Sequence, residues 1–423
     1  MQLPETLEGW LSLLEHRHGQ SIELGLERVR SVKDALNLPQ TCPVFLIGGT
    51  NGKGSTCALL EAVLLAAGYR VGVYTSPHLL AYNERVRIDG RDAPDEVLVA
   101  AFAEVEHARG EIPLTYFEHG TLAAWVAFAH AGLDAVILEV GLGGRLDAVN
   151  VFEPACSIVT SVAMDHMEYL GDTREAIGFE KAGIFRAGRP AICGDPMPPV
   201  SLVRQAETLG ARLWVSGRDF GFAGDQNQWA FWLAGGSRRG GLAYPALRGT
   251  NQLLNAAAVM AACESVRDIL PVSMQAIRQG FMLVDLPGRF QVLPGRPAVV
   301  LDVAHNPQAA GVLNENLASM GFFPETWAVL GMLSDKDVAG SVTLLKDRVD
   351  HWLVASLPAP RGLAASALAR ILRDVGVTTD ISEFAGPAAA YEHARGHAAE
   401  GDRIVVFGSF LTVSDVMVAR KAP

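Results

Sequence analysis

The sequence predicts an α/β protein of two domains, each built on a mostly parallel sheet. Three observations carry the prediction. Short apolar runs of strand length alternate along the chain with helical patterns of ten or more residues, the order that parallel strands and crossover helices produce. Glycine makes up 43 of 423 residues, above the usual share of about 7%, and it punctuates those runs as tight turns require. The length also exceeds the roughly 250–300 residues that one hydrophobic core usually holds.

Taken in order, strands fit 43–47 (PVFLI), 70–75 (RVGVYT), 135–140 (AVILEV), 157–163 (SIVTSVA) and 190–193. A helix fits 53–67, closed by Gly68 as the residue past its end. Further helices fit 94–109, 118–131 and 173–187. The glycine-rich, aromatic stretch from Val215 to Tyr244 reads as a β-rich excursion, and a helix at 251–266 follows it. Two Pro-Gly turns, Pro287-Gly288 and Pro294-Gly295, mark a linker. Beyond them strands fit 298–303, 327–331, 351–355 and 403–407, with helices between. The expected division is therefore a first domain at 1–285, a linker at 286–297 and a second domain at 298–423. No internal repeat, low-complexity tract or heptad run is visible.

Composition excludes several classes. Apolar residues at 49% and charged residues at 19% exclude a mainly disordered chain. Lys+Arg number 35 against 46 Asp+Glu, a net charge of −11. Without a basic block, general nucleic-acid binding is a poor fit, and any anionic ligand must be held by backbone amides, a few cations or a metal. The cysteines at 42, 57, 156, 193 and 263 show no C-x-x-C spacing and read as reduced thiols. The N-terminal stretch lacks a basic segment followed by an apolar one, and His130, Gly132 and Asp134 interrupt the run from Thr121 to Val140. Neither a signal peptide nor a membrane span is expected. The expectation is a cytoplasmic monomer acting on small molecules, with no nucleic-acid or membrane partner.

The sharpest chemical signal is Gly48-Gly49-Thr50-Asn51-Gly52-Lys53-Gly54-Ser55, which follows PVFLI and opens a helix. Glycines there let backbone amides wrap a phosphate, and the helix N-terminus adds its positive end. Lys53 would neutralise phosphate oxygens, and a hydroxyl from Ser55 or Thr56 could hold Mg²⁺. The match to the general G-x-x-x-x-G-K-[ST] pattern is imperfect: position 47 is Ile, and Gly54 displaces the hydroxyl by one.

Ligands of open parallel sheets bind beyond the strands' carboxyl ends. Ser76 follows RVGVYT, Glu139 lies near the end of AVILEV, and Asp165 and His166 follow SIVTSVA. A hydroxyl, a carboxylate and an imidazole beside a triphosphate suggest metal coordination. Singly, each has another explanation: a turn cap, a satisfied buried acid and a core histidine. Lys181, flanked by apolar residues, ordinarily reads as a snorkelling stem or an ion-pair partner. In the second domain Asp302 ends a strand, where a carboxylate often accepts hydrogen bonds from a ribose. Arg289 lies in the linker, within reach of a nucleotide held between the domains.

GGTNGKGS, TSPHL, LEVGLGGRLDA, MDHMEYLG, EKAGIFR, LPGRF and LDVAHNP occur in this order across nearly the whole chain. Together they resemble the bifunctional bacterial dihydrofolate synthase / folylpolyglutamate synthase family of the Mur-ligase superfamily. The resemblance implies a P-loop ATPase domain with a central, mostly parallel sheet, joined to a smaller Rossmann-like C-terminal domain. It implies that Thr50, Asn51, Gly52, Lys53, Gly54 and Ser55 bind ATP, with Asn255, Arg289 and Asp302 completing the nucleotide site. Ser76, Glu139 and His166 match Mg²⁺ ligands, and Lys181 matches a lysine carboxylated on its amine, which would anchor a second Mg²⁺. Lys53, Lys181 and His166 are the implied catalytic residues. Ile22, Glu23 and Leu24, Thr115, Tyr116, Phe117 and Glu118, and Leu146, Asp147 and Ala148 match the pterin-binding segments. Tyr116 and Phe117 offer aromatic faces to a pterin ring, and Asp147 a carboxylate to its amino groups. His305 and Ser409 match positions for the incoming glutamate.

The implied reaction is ATP-driven amide formation through an acyl phosphate, joining L-glutamate to dihydropteroate and to reduced folates. Two rival readings fit parts of this pattern. A peptidoglycan-precursor ligase of the same superfamily carries a UDP-binding domain before the P-loop, and 47 residues before Gly48 are too few for one. A nucleotide-dependent switch would hydrolyse ATP for a partner, without glutamate.

Overall fold

The run PVFLI becomes strand β1 (Val44–Gly48), buried along its whole length. It lies inside an eight-stranded sheet of the computed structural model, which describes residues 3–17, 23–225, 227–249, 251–358 and 360–421. The other strands of that sheet are β2 (Val71–Tyr74), β3 (Val86–Ile88), β4 (Arg91–Asp92), β5 (Ala135–Glu139), β6 (Cys156–Val159), β7 (Pro190–Cys193) and β8 (Arg212–Val215). Their order is β4-β3-β2-β5-β1-β6-β7-β8. Six of them run parallel; β3 and β4 are joined antiparallel at one edge. β1, β5, β6 and β7 are buried throughout, as continuous apolar runs covered by helices on both faces should be.

The chain divides into two compact units, Met1–Pro245 with Leu253–Val284, and Ala246–Gln252 with Asp285–Pro423. In the first unit the expected β-rich excursion is a small antiparallel sheet of β9 (Phe220–Gly224), β10 (Trp229–Leu233) and β11 (Arg238–Leu242). Helices Leu7–Arg17 and Glu27–Leu36, absent from the sequence reading, pack against Asp95–Arg109. Trp10, Phe102 and His119 form a ring cluster beneath them, with centroids 5.6–6.1 Å apart. The helix expected at 173–187 is shorter, Arg174–Ala182. It stops at Gly183, where a Cβ would stand 2.4 Å from Arg145 Cβ; the chain passes there against the 141–148 loop.

The second unit holds a six-stranded sheet ordered β12-β13-β17-β14-β15-β16. Its strands are β12 (Gln291–Leu293), β13 (Ala298–Leu301), β14 (Thr326–Leu330), β15 (His351–Ala355), β16 (Asp380–Phe384) and β17 (Arg403–Phe407). All pairs are parallel except β12 with β13. Val300, Leu330, Trp352 and Phe407 sit in its core. The stretch 286–297, expected as a linker, instead carries a strand: its two Pro-Gly turns bracket β12, which hydrogen-bonds along β13 as part of the second sheet. Both units are α/β with mainly parallel sheets, the fold class the sequence predicts. Among the described residues no helix is long and apolar enough to cross a membrane.

Candidate active site

Three strand ends of the first unit meet around the phosphate loop. β1 lies between β5 and β6, with Ile47 opposite Glu139 and Gly48 opposite Val159. The loop leaves β1 and enters the helix Lys53–Ala66. Two glycines shape it. Gly49 has φ 141°, and a Cβ there would stand 1.9 Å from Thr160 Oγ1; Gly52, the N-cap, has φ 88°, and its Cβ would stand 2.6 Å from Asn255 Oδ1. Any larger residue would have to push those neighbours away.

Residues just past β6 fasten the loop. Thr160 Oγ1 donates to the Asn51 carbonyl (2.7 Å), Thr50 N to the Ser161 carbonyl (2.8 Å) and Asn51 N to Ser161 Oγ (3.1 Å). Thr50 Oγ1 donates to the Ala163 carbonyl (3.1 Å). Gly54 and Ser55 form the first helical turn, Ser55 buried. Thr50, Asn51, Gly52, Lys53, Gly54, Ser55 and Asn255 are thereby brought together.

Two lysines converge on one carbonyl. Lys53 Nζ donates to the Gly49 and Thr50 carbonyls (3.3 and 3.2 Å), and Lys181 Nζ donates to the Gly49 carbonyl at 3.0 Å. Lys181 is buried, so it is neither a snorkelling stem nor a surface ion pair. Burial, reinforced by the charge of Lys53, brings its ammonium down to about 7, against the pull of Asp165 and Asp147. A substantial share of its amine is therefore neutral near neutral pH.

The expected metal ligands lie at the same sheet edge. Ser76 N donates to Glu139 Oε2 at 3.1 Å, and Glu139 is buried. His166 takes a left-handed backbone (φ 50°) ahead of a one-turn helix, Met167–Leu170, and its N–H donates to Asp165 Oδ1 at 2.9 Å. Among the described residues no group of three or more His, Cys, Asp or Glu converges to hold a metal. The set Ser76, Glu139 and His166 contains only two of those types. It still suits Mg²⁺, which is commonly held by one or two carboxylates while water and phosphate oxygens fill its shell.

A second cluster of the first unit gathers the expected pterin segments. Thr115 and Glu118 cap the helix Tyr116–Ala131 reciprocally: Glu118 N donates to Thr115 Oγ1 (3.2 Å) and Thr115 N to Glu118 Oε2 (2.8 Å). Both are buried, so what the geometry gives them is a capping role. The half-buried Tyr116 ring meets Tyr82 edge-on at 6.1 Å; Phe117 lies 5.8 Å from Tyr74 and over Gly141, where a Cβ would touch its Cζ at 2.6 Å. Asp147 is buried and binds its own loop, accepting from Leu142 N (2.8 Å) and Val149 N (3.1 Å). Burial still pushes its carboxyl up to about 7. Leu146 is half-buried and Ala148 buried beside it. Glu23 and Leu24 precede the helix Glu27–Leu36, while Ile22 lies outside the described residues.

Sequence reasoning missed two residues of this cluster. Arg28 binds both Glu23 and Glu118. Arg85 stacks over Tyr82 and Tyr116 (5.3 and 5.5 Å) and its Nε donates to His78 Nδ1 at 2.8 Å. The contacts to Glu118 and Tyr116 have no signal in spacing, because those partners lie far along the chain.

The second unit assembles its own group at the ends of β13 and β17. Asp302 accepts from Phe290 N (3.0 Å) and Ala304 N (2.8 Å), and burial pushes its carboxyl up to about 6. Arg289 stacks on Phe410 at 4.8 Å, and His305 lies 6.4 Å from the same ring. Ser409 is buried, and its Oγ accepts from Leu411 N at 3.2 Å at the start of the helix Phe410–Lys421. Arg289, Asp302, His305 and Ser409 thus share one edge.

Comparison with known proteins matches two separate stretches of the chain. Residues 47–194 match the Mur ligase middle domain, and residues 288–410 match the Mur ligase glutamate ligase domain. Dihydrofolate synthase/folylpolyglutamate synthase of Escherichia coli K12 is 45% identical over 417 residues, 98% of this chain and 96% of its own length. The chain belongs to the dihydrofolate synthase/folylpolyglutamate synthase family. It is therefore a Mur-type acid–amino-acid ligase. Two solved members of the family align along essentially all of the chain. E. coli FolC in complex with DHPP and ADP gives a TM-score of 0.94 at 45% identity, covering 100% of this chain and 99% of its own. A bifunctional folylpolyglutamate synthase/dihydrofolate synthase with Mn, AMPPNP and L-glutamate bound gives 0.91 at 46%, covering 99% and 100%.

Proposed function

We propose that this chain uses ATP to join L-glutamate to the carboxylate of 7,8-dihydropteroate, giving dihydrofolate, and of reduced folates, giving folylpolyglutamates. The observation that carries the reading is the phosphate loop with Lys53 and Lys181 on one carbonyl, beside the Ser76–Glu139 contact. The ligands of the family's solved structures support it: DHPP and ADP in one, Mn, AMPPNP and L-glutamate in another.

The acceptor carboxylate attacks the γ-phosphorus of ATP, the bond to the bridging oxygen breaks, and ADP leaves. The amine of glutamate attacks the resulting acyl phosphate, and phosphate departs as the amide forms. Loop amides and Lys53 hold the phosphates and offset charge in the transition state. Asn255 serves the adenine side of the nucleotide, with Arg289 and Asp302 completing its site. Ser76, Glu139 and His166 would hold Mg²⁺, which when bound neutralises phosphate charge. The neutral amine of Lys181 can attack CO₂, losing a proton as the carbamate forms. The product is an anion beside Lys53, suited to a second Mg²⁺. Tyr116, Phe117 and the 146–148 segment receive the pterin, with Ile22, Glu23 and Leu24 alongside. His305 and Ser409 receive glutamate. The five thiols, all free, and the acidic charge suit a cytoplasmic monomer.

The test supplies ATP, Mg²⁺ and glutamate with either dihydropteroate or a tetrahydrofolate and identifies products by mass. Both acceptors gain glutamate. Activity on the tetrahydrofolate alone would reduce the enzyme to a polyglutamate synthase; inactivity on both, with glutamate-independent ATP hydrolysis, would favour the switch.

A further inference from the structure

The helix Glu27–Leu36 begins without a side-chain cap, since its N-cap residue is Leu26. What fastens the chain just before it is Arg28, reaching backward. One guanidinium nitrogen pairs with the Glu23 carboxylate, and Nη2 donates to the Glu23 carbonyl at 2.9 Å. The same guanidinium grips Glu118 with two groups, Nη2 to Oε1 at 3.0 Å and Nε to Oε2 at 3.3 Å. The two carboxylates differ in setting: the Glu23 side chain is 40% exposed and that of Glu118 4%. Glu118 is also the residue whose carboxylate closes the cap at Thr115, one position before Tyr116 and Phe117.

From this geometry we infer that Arg28 is a positioning residue for the pterin-bearing substrate. It holds the 23–26 segment in register with the helix start that presents Tyr116 and Phe117. Two walls of the proposed pocket, 90 or more residues apart in sequence, are tied through one planar cation. The fork geometry matters: a guanidinium serves two carboxylates and a carbonyl at once, whereas an ammonium is a point donor. Arg28 touches no reacting atom; it acts through Glu23 and Glu118. The inference rests on the proposed pterin site, so its test has one arm that does not.

The experiment compares wild type with Arg28→Met and Arg28→Lys. In steady-state kinetics Arg28→Met raises KM for dihydropteroate about tenfold or more, while KM for ATP stays within about twofold. Arg28→Lys recovers only part of the loss. A merely structural role would lower thermal stability without separating the two KM values. The second arm is hydrogen exchange. In Arg28→Met, amides of 23–26 exchange faster while those of the helix Lys53–Ala66 do not change. Glu23→Gln, at an exposed position, gives the same selective pattern if Arg28→Met fails to fold. Equal shifts in both KM values, or unchanged exchange at 23–26, would overturn the inference. If wild type ignores pterin acceptors altogether, the functional reading falls, and the exchange arm still decides whether Arg28 holds the segment.

Discussion

At the scale of the residue, the proposed chemistry turns on two lysines that share the Gly49 carbonyl. Lys53 is the proposed phosphate clamp. Lys53→Ala should fold normally and lose about 3 kcal/mol or more of transition-state stabilisation, at 1.36 kcal/mol per tenfold in rate. Circular dichroism and kcat/KM check this; near-normal ligation by the folded variant would sink the assignment. Lys181 is different in kind. Its amine, lowered to about 7 by burial, suits carbamate formation. Growth or dialysis with ¹³C-bicarbonate should give a carbamate NMR signal that Lys181→Ala lacks, and short-chain carboxylates should partly restore that variant. A fully active enzyme with no such signal would refute the modification. The position of Lys53 was legible because strand, glycines and helix follow one another locally. The burial of Lys181 was not, since it depends on β1 and the helix Arg174–Ala182 meeting across 132 positions. Two amides of its own loop also bind the Asp147 carboxylate, contacts set by how the 141–149 loop folds back on itself.

At the scale of the element, the phosphate loop is a shape made by close approach. Gly49→Ala would drive a Cβ to 1.9 Å from Thr160 Oγ1 and 3.0 Å from Thr160 N. The backbone atom cannot swing aside, so the loop must shift. We expect a loss of about 2–3 kcal/mol of stability and a large fall in ATP affinity, read by thermal melting and calorimetric titration. Unchanged nucleotide affinity would mean the loop does not bind phosphate in this shape. The apolar strands β1, β5, β6 and β7 were legible because burial on both faces leaves an unbroken apolar run. β16 was not: DISEF mixes acids with apolar residues, as an edge strand half open to water can. β12 was hidden between Pro-Gly turns, whose punctuation outweighed three residues of strand. The helix Glu27–Leu36, with only two buried residues, left too thin an apolar stripe to read.

At the scale of the whole molecule, two α/β units bring different parts of the chemistry. The first carries the phosphate loop and the residues proposed for metal and pterin; the second carries Arg289, Asp302, His305 and Ser409, proposed for nucleotide and glutamate. The sequence showed which strand ends carry these residues, but not that residues 286–297 belong to the second sheet. In the first unit one buried group loses stability in mild acid, against the buried Asp147 and Glu61, whose carboxyls burial raises to about 7 and which gain it. His119 is buried among Trp10 and Phe102 with its Nε2 on the Phe102 carbonyl at 3.3 Å. Burial lowers its pKa to about 4 from 6.5. Between those values the unfolded chain binds the extra proton and the folded one does not, so stability drops as pH falls. The contribution amounts to about 3 kcal/mol by the lower end of that window. Denaturant melts of wild type and His119→Gln from pH 7 to 4 isolate it: the stability of wild type relative to the variant should fall as pH falls, and a difference that does not change with pH would contradict the assignment.

The central claim is that a pterin-borne carboxylate is phosphorylated and then captured by glutamate. Dihydropteroate labelled with ¹⁸O in its carboxylate, incubated with ATP, Mg²⁺ and glutamate, tests it most directly. The account predicts dihydrofolate together with one ¹⁸O transferred to each inorganic phosphate released. Dihydrofolate formed with unlabelled phosphate, or labelled acceptor returned unchanged while ATP is consumed, would contradict it.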